Sequence, residues 1–259
     1  MKRIYLLIAH RLLYRHIAAF HAISPLEEQD IARLFPHVQV YCLPNGPSIQ
    51  VQKALQPRYP SASTSDAIVK FIYVGRLDIF TKGLDILLEV YARAVRQAEG
   101  LRSSLILVGP DWRGSRTWLE QRAQALGIAA QVQFTGPLSG SGVAALLTQA
   151  DVYIQLSRYE GFGSSVAEAL LAGKPAILSE AIGAASFPEL AQLTHLQVVS
   201  LDIDEAAAAI ADFADRLEEL SISARQSQAM LHNLFSWERI AKLHLAHYEK
   251  FIEGATYSS

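Results

Sequence analysis

The sequence predicts an α/β protein built on a doubly wound parallel sheet, and three observations carry that prediction. Short apolar runs alternate with longer segments whose apolar residues recur at helical spacing, the pattern of strands joined by crossover helices. Several runs end on glycine just before a helix begins, as at Val74-Gly75 and Val108-Gly109, where the backbone can turn sharply at a strand's carboxyl end. With 259 residues, 51% of them hydrophobic, the chain is long enough for one full α/β domain and part of another.

Residues 18–24 read as a strand, 25–35 as a helix with Pro25 near its start, and 38–43 as a second strand that Pro44-Asn45-Gly46 ends. A β-rich run over 68–74 follows and stops at Gly75, after which Leu84, Leu87, Leu88 and Tyr91 share a helix face. Residues 104–108 form the next strand, ending in Gly109-Pro110-Asp111, and 118–126 a helix stopped by Gly127. Residues 132–134 are a third strand; Gly136-Pro137-Leu138 turns from it towards a helix from about 142 to 149. The apolar run Val152-Tyr153-Ile154-Gln155-Leu156 reads as a buried strand that opens onto an alanine- and leucine-rich helix. Gly173 stops that helix and Pro175 starts the strand at 176–178, with 196–199 as the last strand and a long helix beyond Ser236. Six strands with intervening helices, counted from residue 68, make a complete Rossmann-like half.

The stretch from Ser157 to Leu170, SRYEGFGSSVAEAL, is the most informative in the chain. A strand, a glycine-containing turn and a helix start together offer an anion site, because the first amides of a helix have no internal partner. Glu160 and Glu168 bracket the turn. Carboxylates cannot bind phosphates, but they accept hydrogen bonds from hydroxyls, which a sugar nucleotide carries on both sides of its diphosphate. Eight positions along a wholly helical path would separate the two Cα atoms by about 12 Å, whereas glycosidase pairs stand roughly 5 to 9.5 Å apart. One glutamate at each end of an elongated ligand fits better: Glu168 on the ribose, Glu160 on the transferred sugar. The plainer alternative makes Glu160 a charge favourable to the helix dipole and Glu168 a solvated helix residue. Upstream, Arg76 and Lys82 fall in a strand-to-helix loop at the carboxyl edge of the sheet, where such sheets bind ligands. A guanidinium fork and an ammonium there can offset diphosphate charge, the alternative being two solvated cations.

Composition excludes other classes. A net charge of −2 argues against nucleic acid as the main partner. Cys42 is the single cysteine, so no intrachain disulfide forms and a reducing compartment is expected. No apolar run approaches a membrane span in length. The faint signal-peptide look of residues 1–9 is interrupted early by His10, Arg11, Arg15 and His16. Asp202-Ile203-Asp204 sits late, at a strand-to-helix turn, and reads as a helix cap. His244 and His247 share a helix face and read as solvated, while Trp237 and Tyr248 read as part of an aromatic core stripe.

The two segments around Arg76 and Glu160 resemble those of retaining glycosyltransferases of the GT-B fold, the large family 4 group. Ser157, Glu160, Gly161, Phe162, Gly163 and Glu168 match that group's Glu-x7-Glu signature, and Gly75, Arg76, Lys82 and Gly83 match its Gly-Arg and Lys-Gly loop. The resemblance implies a donor site made by Gly75, Arg76, Lys82, Gly136, Leu138, Glu160, Gly161, Phe162, Gly163, Ser164, Ser165, Val166 and Glu168, with Glu160, Arg76 and Lys82 acting at the reacting bond. The Gly136 turn would lie beside the nucleobase, met largely by backbone. Residues 1–47, with Ser24 and Glu27, resemble the last stretch of the amino-terminal domain and its linker. Residues 48–235 correspond to the nucleotide-sugar-binding domain, and 236–259 to a helix returning to the amino-terminal one. Most of the amino-terminal domain is then absent.

The implied function is transfer of a sugar from a UDP- or GDP-linked donor to a glycan or glycolipid acceptor, with retention and without a metal or other cofactor. The implied setting is cytoplasmic, extending to peripheral contact with the inner membrane face, with self-association or pairing with a separate amino-terminal half. A non-catalytic nucleotide-sugar-binding subunit and a GT-B sugar-nucleotide epimerase are the alternatives. The group often has Gly-Gly-x-x-Glu where this chain has residues 179–189 with one glycine, which leaves the donor sugar open.

Overall fold

The computed structural model describes residues 17–55, 68–98 and 100–256, the last four of these without side chains. The apolar stripe of Ile4, Leu7, Ile8 and Leu12, expected on a helix, lies outside the described residues. Two parallel sheets form. In the smaller, β1 (Ala19–Ala22) pairs with β2 (Gln39–Cys42), joined by α1 (Pro25–Leu34). That helix begins where expected because Ser24 Oγ accepts from the Glu27 amide at 3.2 Å while Glu27 Oε2 accepts from the Ile23 amide at 2.8 Å, a reciprocal cap for otherwise unpaired donors.

The larger sheet contains β3 (Val69–Val74), β4 (Ser103–Val108), β5 (Val132–Gly136), β6 (Val152–Gln155), β7 (Ala176–Ser179) and β8 (Leu196–Val199), in the spatial order β5-β4-β3-β6-β7-β8. All of its pairings are parallel. The short α2 (Ile49–Ala54) precedes β3. Crossovers run through α3 (Leu84–Gln97), α4 (Ser115–Ala125), α5 (Gly140–Gln149), α6 (Ser164–Leu171) and the short α7 (Pro188–Ala191). After β8 come α8 (Ile203–Asp215), α9 (Leu217–Gln226), α10 (Gln228–Leu234) and α11 (Trp237–Thr256). Helices α4 and α5 start earlier than their hydrophobic periodicity suggests. Gly114 takes φ 78° before α4, and Ser139 caps α5 through the Gly142 amide at 3.2 Å.

Side chains alternate across the sheet with period two, so each strand feeds two cores. Phe71, Tyr73, Leu105, Leu107 and Ile154 pack with Leu87, Tyr91 and Phe213 on one face. Ile72, Ile106, Tyr153 and Leu178 pack with Val166, Leu170 and Phe235 on the other. Asp202 caps α8, its Oδ1 accepting from the amides of Asp204 and Glu205 at 3.0 and 2.9 Å.

The long α11 carries the chain back to the small sheet, and there two expectations fail. His244 and His247 are half-buried rather than solvated: they flank Tyr41 with ring centroids 5.8 and 4.3 Å away, and His244 meets His21 edge-on. Trp237 and Tyr248 are 41% and 51% exposed rather than core. The reason is positional. Trp237 lies over the linker, its Nε1 donating to Pro47 O at 2.9 Å, with its ring so close to Gly46 that an added Cβ would be 2.5 Å from it. Among the described residues no helix is long and apolar enough to cross a membrane.

Candidate functional site

The chain runs from β3 outward through β4 and β5, then returns to place β6 on the other side of β3. The loops leaving β3 and β6 therefore diverge around a crevice at the sheet's carboxyl edge, where doubly wound folds bind ligands. Residues 75–83 and 156–163 form its two walls and touch directly. Gly83 takes φ 61°, and a Cβ on it would sit 1.9 Å from Leu156 O, so only glycine lets the loops meet. Arg158 ties them further: its amide donates to Thr81 O at 3.0 Å, and its guanidinium grips both Asp85 oxygens at 2.7 Å and Phe80 O at 2.9 Å. On the far side the Gly183 amide donates to Glu160 O at 2.8 Å, and a Cβ on Gly183 would lie 1.9 Å from Gly161 O.

Lys82 and Glu160, from the two walls, form an ion pair through Glu160 Oε2. Gln155 Nε2 donates to the same oxygen at 3.2 Å. The pair is mostly buried, with the Lys82 and Glu160 side chains 13% and 20% exposed. In the structure the partner of Lys82 is thus a carboxylate, a contact that the spacing did not suggest. Glu168 is not a solvated helix residue but 6% exposed, and its Oε1 accepts from the Ser48 amide of the linker at 3.0 Å. Burial pushes its carboxyl above the ordinary range, and the Ser48 amide pulls it back. The path between the two glutamates is not wholly helical. Glu160 lies in an extended bridge to Ile182, Gly163 turns the chain at φ 92°, and α6 begins at Ser164; the separation for a continuous helix does not apply.

The other expected residues lie along the same edge. Gly75 ends β3, its amide bonded to Val108 O at 2.9 Å. Arg76 is exposed, with its guanidinium 4.5 Å above the Trp112 ring. Gly136 ends β5 at φ 73°, its carbonyl accepting from the Gly109 amide at 3.1 Å, and Leu138 beyond it is 41% exposed. Ser164, Ser165 and Val166 form the first turn of α6. The side chains of Phe162 and Val166 are buried, and Phe162 packs edge-on against Phe187 and Phe235 with centroids 6.2 and 6.0 Å away. For these two residues only the backbone can face a ligand. The small sheet overhangs this wall: Ile23 Cδ1 would lie 3.4 Å from a Cβ on Gly161, and the Leu26 amide donates to Ser186 Oγ at 3.2 Å.

Sequence reasoning missed Ser48, Trp112, Gln155 and Arg158. Gln155 carried the one readable signal, a carboxamide inside an otherwise apolar strand. The others owe their places to partners 36 to 120 positions away.

Comparisons with known proteins bear on the fold and the family. The family model for glycosyl transferases group 1 matches residues 63–226. A D-inositol 3-phosphate glycosyltransferase of Geodermatophilus obscurus is 33% identical over 179 residues, 67% of this chain and 38% of that protein. An MMP alpha-(1->4)-mannosyltransferase of Mycolicibacterium hassiacum is 29% identical over 191 residues, 71% of this chain and 43% of the relative. The matches thus span about two fifths of these relatives' length. Among solved structures, sucrose-phosphate synthase from Thermosynechococcus elongatus superposes with a TM-score of 0.74 at 25% identity, covering 97% of this chain and 62% of the other. An Anabaena protein solved in complex with UDP gives 0.78 at 20% identity, covering 96% and 68%. A doubly wound sheet with basic and acidic loops at its switch point, matched across its length by one family model, makes this chain a member of the glycosyl transferases group 1 family.

Proposed function

We propose that the chain supplies the donor-binding half of a retaining, metal-independent glycosyltransferase that uses a UDP- or GDP-linked sugar and a glycan or glycolipid acceptor. The observation that carries this reading is the Lys82–Glu160 pair, one cation and one carboxylate drawn from the two walls of the switch-point crevice. A sugar diphosphate presents both complements side by side: anionic oxygens for Lys82, Arg76 and the first amides of α6, and hydroxyls for Glu160. Glu168 takes the ribose hydroxyls, and the backbone of the Gly136–Leu138 turn meets the base. In the reaction the bond from the sugar's anomeric carbon to the diphosphate oxygen breaks, and the electron pair leaves with the phosphate. Arg76 and Lys82 stabilise that charge where it develops. The acceptor hydroxyl adds on the same face, and its proton passes to the departing diphosphate.

In this reading residues 48–235 are the donor domain, 1–47 belong to the acceptor-side domain, and 236–259 tie the two together. The setting is the cytoplasm, at the membrane's inner face when the acceptor is a glycolipid. Calorimetry with UDP and GDP in EDTA tests the reading. Arg76→Ala and Lys82→Ala should each weaken nucleotide binding by roughly 1.5–3 kcal/mol. A wild-type chain that binds neither nucleotide, or variants that bind as well as wild type, would overturn the phosphate assignment.

A further inference from the structure

Gln155 is the last residue of β6, a strand buried along its whole length, and is itself 1% exposed. A carboxamide there is tolerated only if its polar atoms are partnered. Both ends of this one are. Nε2 donates to Ser157 Oγ at 2.9 Å and to Glu160 Oε2 at 3.2 Å. Oε1 lies 2.6 Å from the Tyr153 hydroxyl and 3.4 Å from Ser165 Oγ, and those two hydroxyls are 2.9 Å apart. The amide's orientation follows from chemistry: an ionised Glu160 only accepts, so the nitrogen must face it and the oxygen must face the hydroxyls. A continuous polar chain therefore runs inside an apolar core, from Glu160 through Gln155 and Tyr153 to Ser165 in the first turn of α6.

We propose that Gln155 is a positioning residue that holds the Glu160 carboxylate for the donor's sugar, an inference that rests on the donor-site reading above. Lys82 and Gln155 both reach Oε2, and neither engages Oε1, which leaves that oxygen to accept from a sugar hydroxyl. Lys82 is shared: a diphosphate competes with Glu160 for the ammonium. Gln155 has no such second claim, because it is the last residue of a fully buried strand, which fixes its backbone and keeps its amide away from a ligand. When the ammonium turns to phosphate, the amide keeps the carboxylate oriented. Gln155 touches no donor atom itself; it acts through Glu160 on the sugar and leaves the nucleotide alone.

The test is calorimetry on the full chain with UDP and UDP-glucose, and with GDP and GDP-mannose, using the pair whose nucleotide binds. The ratio of nucleotide Kd to sugar-nucleotide Kd is compared between variants. Gln155→Met keeps length and burial but removes both hydrogen-bonding ends; it should lower that ratio at least about tenfold, the loss expected for a hydrogen bond to a charged group, with the nucleotide Kd unchanged. Tyr153→Phe disturbs the same buried chain but leaves the amide on Glu160, so its ratio should stay within about twofold of wild type. This variant controls for damage to packing. Thermal melts of both variants check that each is folded at the assay temperature. An unchanged ratio in Gln155→Met, an equal fall in both variants, or an equal loss of nucleotide and sugar nucleotide would overturn the inference while nucleotide binding stands. A wild-type chain that binds neither nucleotide overturns the donor-site reading and this inference with it.

Discussion

Replacing Gly83 by alanine separates backbone strain from steric collision at the junction of the two site loops. Gly83 has φ 61°, in the left-handed region that costs a side-chain-bearing residue about 1–2 kcal/mol. The new Cβ would also lie 1.9 Å from Leu156 O, where ordinary contact begins near 3.4 Å. That oxygen is backbone next to the fully buried strand β6, and no side chain can swing aside to make room. Separating the two atoms means moving the Lys82 loop or the start of the Glu160 loop, an overpacking cost of about 1–3 kcal/mol. The sum is about 2–5 kcal/mol, a large share of the 5–15 kcal/mol stability typical of a domain. Gly127→Ala serves as the reference: Gly127 has φ 75°, but its Cβ would meet nothing within 4 Å, so strain acts there alone. Urea denaturation of both variants measures the two costs, and the difference isolates the collision. Gly83→Ala should also weaken UDP or GDP binding, because Lys82 immediately precedes it. If Gly83→Ala costs no more than Gly127→Ala, the loop contact is not tight and the argument for this glycine is refuted.

Other outcomes follow from single side chains. Glu168→Gln should weaken UDP or GDP alone, whereas Glu160→Gln should spare the nucleotide and weaken only the intact sugar nucleotide; equal effects of both on nucleotide binding would remove the assignment. Burial raises the Glu168 carboxyl in the folded state, so the native protein holds that proton more firmly than the unfolded chain, and stability drops as pH rises through the carboxyl range. Glu168→Gln should therefore be more stable than wild type at pH 7, with the gain vanishing towards pH 4 in pH-dependent urea melts. His195 is fully buried with Nε2 unpartnered, and burial lowers its pKa from 6.5 to about 4. Its contribution is complete above pH 6.5 and is lost as pH falls towards about 4; His195→Gln should flatten that part of the stability profile. Leu245, Tyr248 and Ile252 are 59%, 51% and 66% exposed on α11, and self-association through this stripe should appear in sedimentation and disappear in Leu245→Glu/Ile252→Glu. A wild-type chain that sediments as a monomer at all concentrations would exclude it.

What the sequence by itself determined is what short range controls. Short apolar runs, the glycines ending β3 and β4, and the proline at the start of α1 each act over a few residues, so strands and turns were legible within one or two positions and helix starts within three. Parallel alternation of these elements then left few ways to order the sheet, and the loops carrying Arg76, Lys82 and Glu160 had to emerge at one edge. What tertiary structure alone decided is who faces whom. Lys82 meets Glu160 across 78 positions, and Ser48 reaches Glu168 across 120. Trp237, an expected core residue, instead lies over Gly46, and His244 and His247, expected in solvent, flank Tyr41. Gln155 shows the limit most plainly. A strand pattern marks the residue as buried but cannot say what satisfies it, because the partners of a buried polar group come from whichever loops the fold brings over the strand's end.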